Sequence, residues 1–390
     1  AVRLESDAEC SPRSPRYGGS ANQIVAISQH GLVASGHRSR GLMMISLHAS
    51  RASQAEALSG LVTTLCSNVV NAENLALTRN QRLFVSGRDG VYELIRSAGG
   101  GCGTELVPVR VPGVPDQCML NGIVAQDDCL YLACVHIDEA SIPLIAAVLG
   151  DVNQIEQTTI GLLRSYLETM VCPVDSYIVR CDLGQTPLAF TDLLARLPGH
   201  VMANGITTDA KGRNLYVANS APGSAAGIYR VPLDAGNPSG ATLWCRPPGC
   251  KPNGLKVQGD VLYYTGNGPV AAVLGSVPIE QDGAAGEPRV IDTGGVVVDD
   301  FDLADEGFVV AQFSESMVFG SGFLRFLSRD GRELAVLKRD EIANPSAVAV
   351  ARESSALFRA GDVVLVDKAR RGVSLFEPDA RWRKWLLASA

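Results

Sequence analysis

The chain has 390 residues, of which 46% are hydrophobic, 19% charged and 40 glycine, so it can bury a large core while spending many residues on turns. Its formal net charge is −7 and no basic stripe interrupts it, which argues against a nucleic-acid partner. No run of about 18 uninterrupted apolar residues occurs, which excludes a membrane-spanning helix on length.

Residues 1–20 are polar, carry two Ser-Pro pairs and a Gly-Gly, and read as an N-terminal arm ahead of one domain over 21–390. The chain opens Ala-Val-Arg without an initiator Met, and a cleaved signal peptide would account for this. The ten cysteines form an even, scattered set with no CxxC pair of the kind that builds a zinc site, which favours an oxidising, secretory compartment. Cys245-Arg-Pro-Pro-Gly-Cys250 is expected to close a hairpin disulfide, and Cys172 and Cys181 could bridge the ends of one loop. Short β-like runs at 24–27 and 42–47 are candidates for a strand that closes a circular sheet arrangement.

From Glu73 one supersecondary unit recurs. Its clearest copy, 202–220, has an Asn204-Gly-Ile start, a polar turn at 209–213 and a β-rich finish at 215–219. Other copies start at Glu73-Asn-Leu, Asn121-Gly-Ile, Asn253-Gly-Leu, Asp300-Phe-Asp and Asn344-Pro-Ser. Six copies of one β-rich unit predict an all-β, six-bladed β-propeller.

The second copy is oversized. Residues 141–170 place Leu144, Val148, Ile155, Ile160, Leu163, Tyr166, Leu167 and Met170 at helical spacing, so a helical insertion in the second blade is expected. It could serve as a lid over one end of the propeller or simply cover a blade edge. Near the C-terminus, Trp382 and Trp385 stand three apart among basic residues, the pattern of a short amphipathic packing element.

In a propeller the residues that open successive inner strands converge on one mouth of the central channel. Glu73, Asn121, Asn204, Asn253, Asp299 or Asp300, and Asn344 would then form a ring of hard oxygen donors, the chemistry of Ca²⁺ rather than of a soft metal. Taken singly, Asn-Gly is also the commonest type I′ hairpin signal, and each of these pairs could be only a turn.

These motifs, over about residues 70–380, resemble the calcium-dependent six-bladed propellers of the paraoxonase and gluconolactonase group. The resemblance implies one channel calcium held by Glu73, Asn204, Asn253, Asp299 and Asp300. It also implies a histidine pair that activates water. His136 in Ala133-Cys-Val-His matches one member, whereas Asn121 stands where those enzymes have the other, and an amide is no general base.

The function expected first is a calcium-dependent lactonase or esterase acting on a small, largely apolar molecule, with His136, Asn121 and Asp299 as catalytic candidates. The alternative is a non-hydrolytic natural-product enzyme of the fungal hetero-Diels–Alderase type, which orients reactive intermediates. A third is a binding propeller without chemistry. No Gly-x-Ser-x-Gly elbow or dinucleotide fingerprint supports a serine hydrolase or NAD enzyme.

Overall fold

The computed structural model describes residues 27–28, 31–32, 55–67, 69, 71–87, 90–116, 118–137, 174–198, 201–221, 226–233, 240–268, 271–295, 297–314, 322–368 and 370–388. The first unit, residues 1–53, contributes a short ribbon of β1 (Ile27–Ser28) paired with β2 (Gly31–Leu32). The second unit comprises residues 54–390. No helix among the described residues is long and apolar enough to cross a membrane.

The second unit opens with β3 (Glu56–Ala57) and β4 (Gly60–Ser67), then builds six antiparallel sheets. Blade 1 is β5 (Leu75–Leu77), β6 (Leu83–Ser86), β7 (Val91–Arg96) and β8 (Cys102–Val107). Blade 2 is β9 (Cys118–Gln126), β10 (Cys129–Ile137), β11 (Val174–Asp182) and β12 (Asp192–Arg196). Blade 3 is β13 (Ala203–Thr208), β14 (Asn214–Asn219), β15 (Gly227–Pro232) and β16 (Thr242–Cys245). Blade 4 is β17 (Lys251–Gln258), β18 (Val261–Asn267), β19 (Ala272–Pro278) and β20 (Arg289–Asp292). Blade 5 is β21 (Val297–Ala304), β22 (Gly307–Ser314), β23 (Phe323–Ser328) and β24 (Glu333–Leu337), with β3 added in parallel at its edge. Blade 6 is β25 (Pro345–Val350), β26 (Val363–Asp367) and β27 (Gly372–Pro378), completed by β4.

The first strand of each blade touches the first strand of the next, from β5 through β9, β13, β17, β21 and β25 back to β5, so these strands line the central axis. Burial follows from that order: Leu83-Phe-Val-Ser86 is wholly buried, whereas the outer strand β8 exposes Leu106. Six apolar clusters fill the six interfaces between neighbouring blades, and the one between blades 6 and 1, built on Val69, Leu75, Val85, Val364 and Val373, closes the circle. The chain is a six-bladed β-propeller.

The closing strand differs from expectation. It is β4, whose register runs from Gly60 opposite Pro378 to Ser67 opposite Gly372; of the expected runs, 24–26 and 42–47 lie outside the described residues. Pairing a strand from before the repeat with the last blade completes that blade and ties the two ends of the propeller together. The extra residues of the second blade lie between β10 and β11, and 141–170, expected to be a helical insertion, falls outside the described residues. The tryptophan-bearing tail forms α1 (Ala380–Leu386), capped by Asp379, whose carboxylate accepts from the backbone N–H groups of Arg381 and Trp382. Trp382 and Trp385 pack on Phe326 in the blade 5–blade 6 interface, as a packing element should. Cys245 and Cys250 are both free thiols, and Cys172 lies outside the described residues.

Every inner strand carries the same irregularity near its start. In blades 2 to 5 the pairs Asn121-Gly122, Asn204-Gly205, Asn253-Gly254 and Asp299-Asp300 each face a single residue of the second strand, a β-bulge. In blade 1 the Glu73 N–H donates to the Ser86 carbonyl while the Ser86 N–H donates to that of Asn74, the same two-against-one arrangement. In blade 6 the extra residue is Ser346. The recurrent Asn-Gly pairs are therefore bulges within strands, not hairpin turns.

The glycine in each pair answers a steric demand. A Cβ on Gly122 would stand 2.2 Å from the Asn204 carbonyl oxygen, and one on Gly205 would stand 2.2 Å from that of Asn253. Inner strands of adjacent blades thus meet backbone to backbone. At two other junctions a hydroxyl pins the next blade's ring carbonyl across the gap: Ser86 Oγ donates to Asn121 O at 2.7 Å, and Thr265 Oγ1 to Asp299 O at 2.8 Å. Asp300 occupies the glycine's place in blade 5, and its side chain turns back over Gly254 to meet Lys256 of blade 4 at 3.1 Å. Burial raises the Asp300 pKa, Lys256 opposes the rise, and the carboxylate stays within an inter-blade ion pair.

Two stability measurements follow from this packing. Gly205→Ala should cost at least about 1–3 kcal/mol in denaturant unfolding because backbone must move to admit the methyl, while Gly103→Ala, where the nearest atom is at 3.7 Å, should be close to neutral; equal costs would contradict the close approach. Lys256→Met should lower stability by on the order of 3 kcal/mol near neutral pH because a buried carboxylate loses its partner. A raised pKa means that the folded chain holds the Asp300 proton more tightly than the unfolded chain, so this penalty should shrink on acidification. Unfolding curves for wild type and variant at two pH values decide it, and a penalty that grows on acidification refutes it.

Candidate functional site at the channel mouth

Because each bulge lies near the start of its inner strand, the first residues of the pairs gather at one end of the channel. In blade order they are Glu73, Asn121, Asn204, Asn253, Asp299 and Pro345. Asn344 was expected in this ring but sits one position early. Its side-chain Nδ2 donates to the Phe313 carbonyl at 3.2 Å and its backbone N–H donates to Asp367, so it ties blade 6 to blade 5.

Three of the expected site residues are joined by a residue the sequence analysis passed over. Lys368, directly after β26, places its ammonium in an ion pair with the Glu73 carboxylate of blade 1 and 3.7 Å from Asp299 Oδ2 of blade 5. Asn253 of blade 4 donates from Nδ2 to Asp299 Oδ1 at 2.7 Å. A continuous polar chain, Glu73–Lys368–Asp299–Asn253, therefore runs across blades 1, 6, 5 and 4. Its members are largely withdrawn from solvent, with side chains 21% exposed at Lys368, 15% at Glu73 and 9% at Asp299.

That withdrawal sets the electrostatics. Burial pushes the Asp299 carboxyl up to about 7; the Lys368 ammonium pulls it down, and the carboxylates of Glu73 and Asp300 push it up again. For Lys368 burial opposes the charge, yet Glu73 and Asp299 hold its pKa above the ordinary lysine value. The lysine is a lasting positive charge, and Asp299 is poised to gain or lose a proton near neutrality.

The base of Lys368 is fixed as firmly as its tip. Its backbone N–H donates to the Asn344 carbonyl at 3.1 Å, and its ammonium lies 5.8 Å from the centre of the buried Phe313 ring. The preceding Asp367 accepts from the backbone N–H groups of Ala343 at 2.6 Å and Arg370 at 3.0 Å, locking the strand end from which the lysine projects.

The remaining expected residues stand apart from this chain. Asn121 is buried, and its Nδ2 donates to the Ala203 carbonyl at 2.7 Å, a tie between blades 2 and 3. Asn204 is half-buried at its ring position, with no side-chain partner among the described residues. His136 lies near the end of β10, across from Cys118 and Asp175, and is half-buried. Asp300 faces Lys256 within the blade interface rather than the channel.

A calcium ion needs six to eight oxygen ligands. The donors here do not fit one: Glu73 and Asp299 already face an ammonium, Asn253 turns an N–H toward Asp299, and Asp300 is spent on Lys256. Among the described residues, no group of three or more His, Cys, Asp or Glu side chains gathers as a metal site. Lys368 escaped the sequence analysis because a single lysine after a strand has no motif; the only signal was its place in the repeat, where other blades carry Gly87, Cys134, Asn219, Gly266 and Gln312.

No family model matches the chain, and no curated protein matches it. Solved structures do. An aldose sugar dehydrogenase from Streptomyces coelicolor, in its PQQ-bound form, is 16% identical with a TM-score of 0.53, over 83% of this chain and 100% of that one. A gluconolactonase from Xanthomonas campestris is 14% identical with a TM-score of 0.51, over 84% of this chain and 96% of that one. The apo form of the soluble aldose sugar dehydrogenase from Escherichia coli is 14% identical with a TM-score of 0.52, over 82% and 100%. At these identities the likeness is one of fold: this chain shares the propeller on which a gluconolactonase and sugar dehydrogenases are built.

Proposed function

We propose that this chain is an enzyme acting on a small carbonyl-bearing molecule at the channel mouth, with lactone or ester hydrolysis as its reaction. The observation that carries the reading is the Glu73–Lys368–Asp299–Asn253 chain, four side chains from four blades that place a fixed cation beside a carboxyl with a pKa of about 7. Fold likeness to a gluconolactonase agrees with it but does not carry it.

Each residue has a role its chemistry permits. The ammonium of Lys368 has three N–H donors; Glu73 faces one, and Asp299 at 3.7 Å lies beyond hydrogen-bond distance, so a donor is left for a carbonyl oxygen. A fixed donor of this kind stabilises the oxyanion of a tetrahedral intermediate by about 3–4 kcal/mol when it is aimed at the developing charge. Asp299 in its ionised form takes a proton from water as the water oxygen bonds to the carbonyl carbon. When the carbon–oxygen bond of the ester breaks, the same proton passes to the leaving alkoxide. Asn253 orients Asp299, and Glu73 keeps Lys368 charged. His136 and Asn121 take no part in this scheme, and no step passes through a metal.

A second reading rests on a different observation. Asn121, where the resembled hydrolases carry a histidine, is committed to a backbone carbonyl, and the Asn204 amide, which has no partner among the described residues, and Lys368 are hydrogen-bond donors. A donor-lined mouth can orient a reactive intermediate for cycloaddition without proton transfer.

A panel of lactones and aryl esters tests the first reading. Wild type should turn over at least one, and Asp299→Asn should lower kcat by about 10²–10⁴-fold; no turnover, or an active Asp299→Asn variant, rejects it. Product profiling of a conjugated diene precursor then tests the second, which fails if the product distribution matches the uncatalysed one.

The pH dependence is a further check. Activity should rise through an apparent pKa near 7 as Asp299 ionises. Glu73→Gln removes a neighbouring negative charge and should move that limb to lower pH, because the carboxylate then ionises more easily. A limb that stays in place or moves upward would show that Asp299 does not govern it.

A further inference from the structure

We infer that Lys368 is the resident cation of this propeller, standing where a divalent metal would otherwise be held, so that the channel mouth is calcium-indifferent by construction. The inference shares its site with the reading above but does not rest on any catalytic activity.

Charge and placement carry it. Glu73 and Asp299 come from blades 1 and 5, flank blade 6, and both point at the ammonium that blade 6 supplies. Two withdrawn carboxylates facing one another with nothing between would repel strongly, and one cation between them relieves that repulsion. A free ion must be captured from solution, at the cost of its own translational freedom and its water shell. A tethered ammonium is present at every moment. Lys368 is held at both ends, through its backbone N–H to Asn344 and through its head to two carboxylates beside the Phe313 ring. A calcium ion would have to evict it and still find six to eight oxygens, where the nearby amide of Asn253 offers an N–H to Asp299 and Asp300 faces blade 4.

Removing the ammonium while keeping the carboxylates should reverse this. Lys368→Gln leaves Glu73 and Asp299 facing each other, with the Asn204 amide at the same ring, and adds an amide oxygen. That set should take up calcium weakly, with Kd on the order of 10⁻⁴–10⁻³ M, as loosely built oxygen sites do.

The test is calorimetric titration of the full chain with CaCl₂ after chelator treatment, paired with thermal unfolding with and without the ion. Wild type should give no binding heat and no change in Tm at millimolar calcium. Lys368→Gln should melt below wild type and regain several degrees when calcium is added. Lys368→Arg, which keeps the charge, should remain indifferent to calcium. Micromolar calcium binding by wild type overturns the inference, as does a folded Lys368→Gln variant that calcium neither binds nor stabilises. If Lys368→Gln does not fold, wild type and Lys368→Arg decide: calcium indifference in both supports the inference, and binding by either overturns it. An inactive protein that ignores calcium rejects the hydrolase reading and leaves this one standing. An active esterase that binds calcium tightly does the reverse.

Discussion

The close approach of neighbouring inner strands is the constraint on which the rest of this propeller depends. Gly122 and Gly205 have no side chain because the carbonyl of the next blade's ring residue lies where a Cβ would be. Contacts between successive inner strands set the diameter of the channel, and the diameter decides whether side chains from different blades can touch across it. Only with the strands this close can a lysine from blade 6 meet carboxylates from blades 5 and 1 at once. The bulge contributes the second half of the geometry. By putting two residues against one, it aims the first at the mouth and the second at the adjacent blade.

Much of this was legible because it repeats. A unit that appears six times fixes the blade count, and the residues two positions after each ring residue, Leu75, Ile123, Ile206, Leu255, Phe301 and Ala347, are all buried as the pattern requires. The meaning of Asn-Gly was not legible. Locally the dipeptide is a hairpin signal, and only contact with another blade distinguishes a bulge from a turn. Blade 6 slipped by one residue for a related reason. Asn344 looks like its counterparts, but the bulge falls at Pro345–Ser346, and proline brings no polar side chain to the ring. The closing strand was hidden for another reason. Gly60–Ser67 is an outer strand with Leu61 59% exposed, so the alternation that marks a half-buried strand is weak there.

Asp299 and Asp300 show how adjacent identical residues acquire different chemistry. Both are buried, but they lie on opposite sides of one bulge. Asp300 meets Lys256 at 3.1 Å within a blade interface, a contact that serves packing between blades 4 and 5. Asp299 has its ammonium at 3.7 Å, shares it with Glu73, and takes a hydrogen bond from Asn253, an environment that leaves its proton in play near neutral pH. A sequence pattern that treats the two as one acidic pair assigns both to the same ion. The backbone irregularity separates them.

The same logic bears on how one propeller scaffold carries different chemistries. Ring positions are fixed by the repeat and by backbone contacts between inner strands, and their side chains divide the work: Asn121 ties blade 2 to blade 3, whereas Glu73 and Asp299 face the ammonium of Lys368. Glu73, Asn253 and Asp299 preserve the oxygen-rich character of the ring, while the decisive residue, Lys368, comes from the end of a second strand and belongs to no ring position. Its ammonium stands between a carboxylate of blade 1 and one of blade 5, so the charge at this mouth is set as much by the residue that follows the second strand of the last blade as by the ring itself.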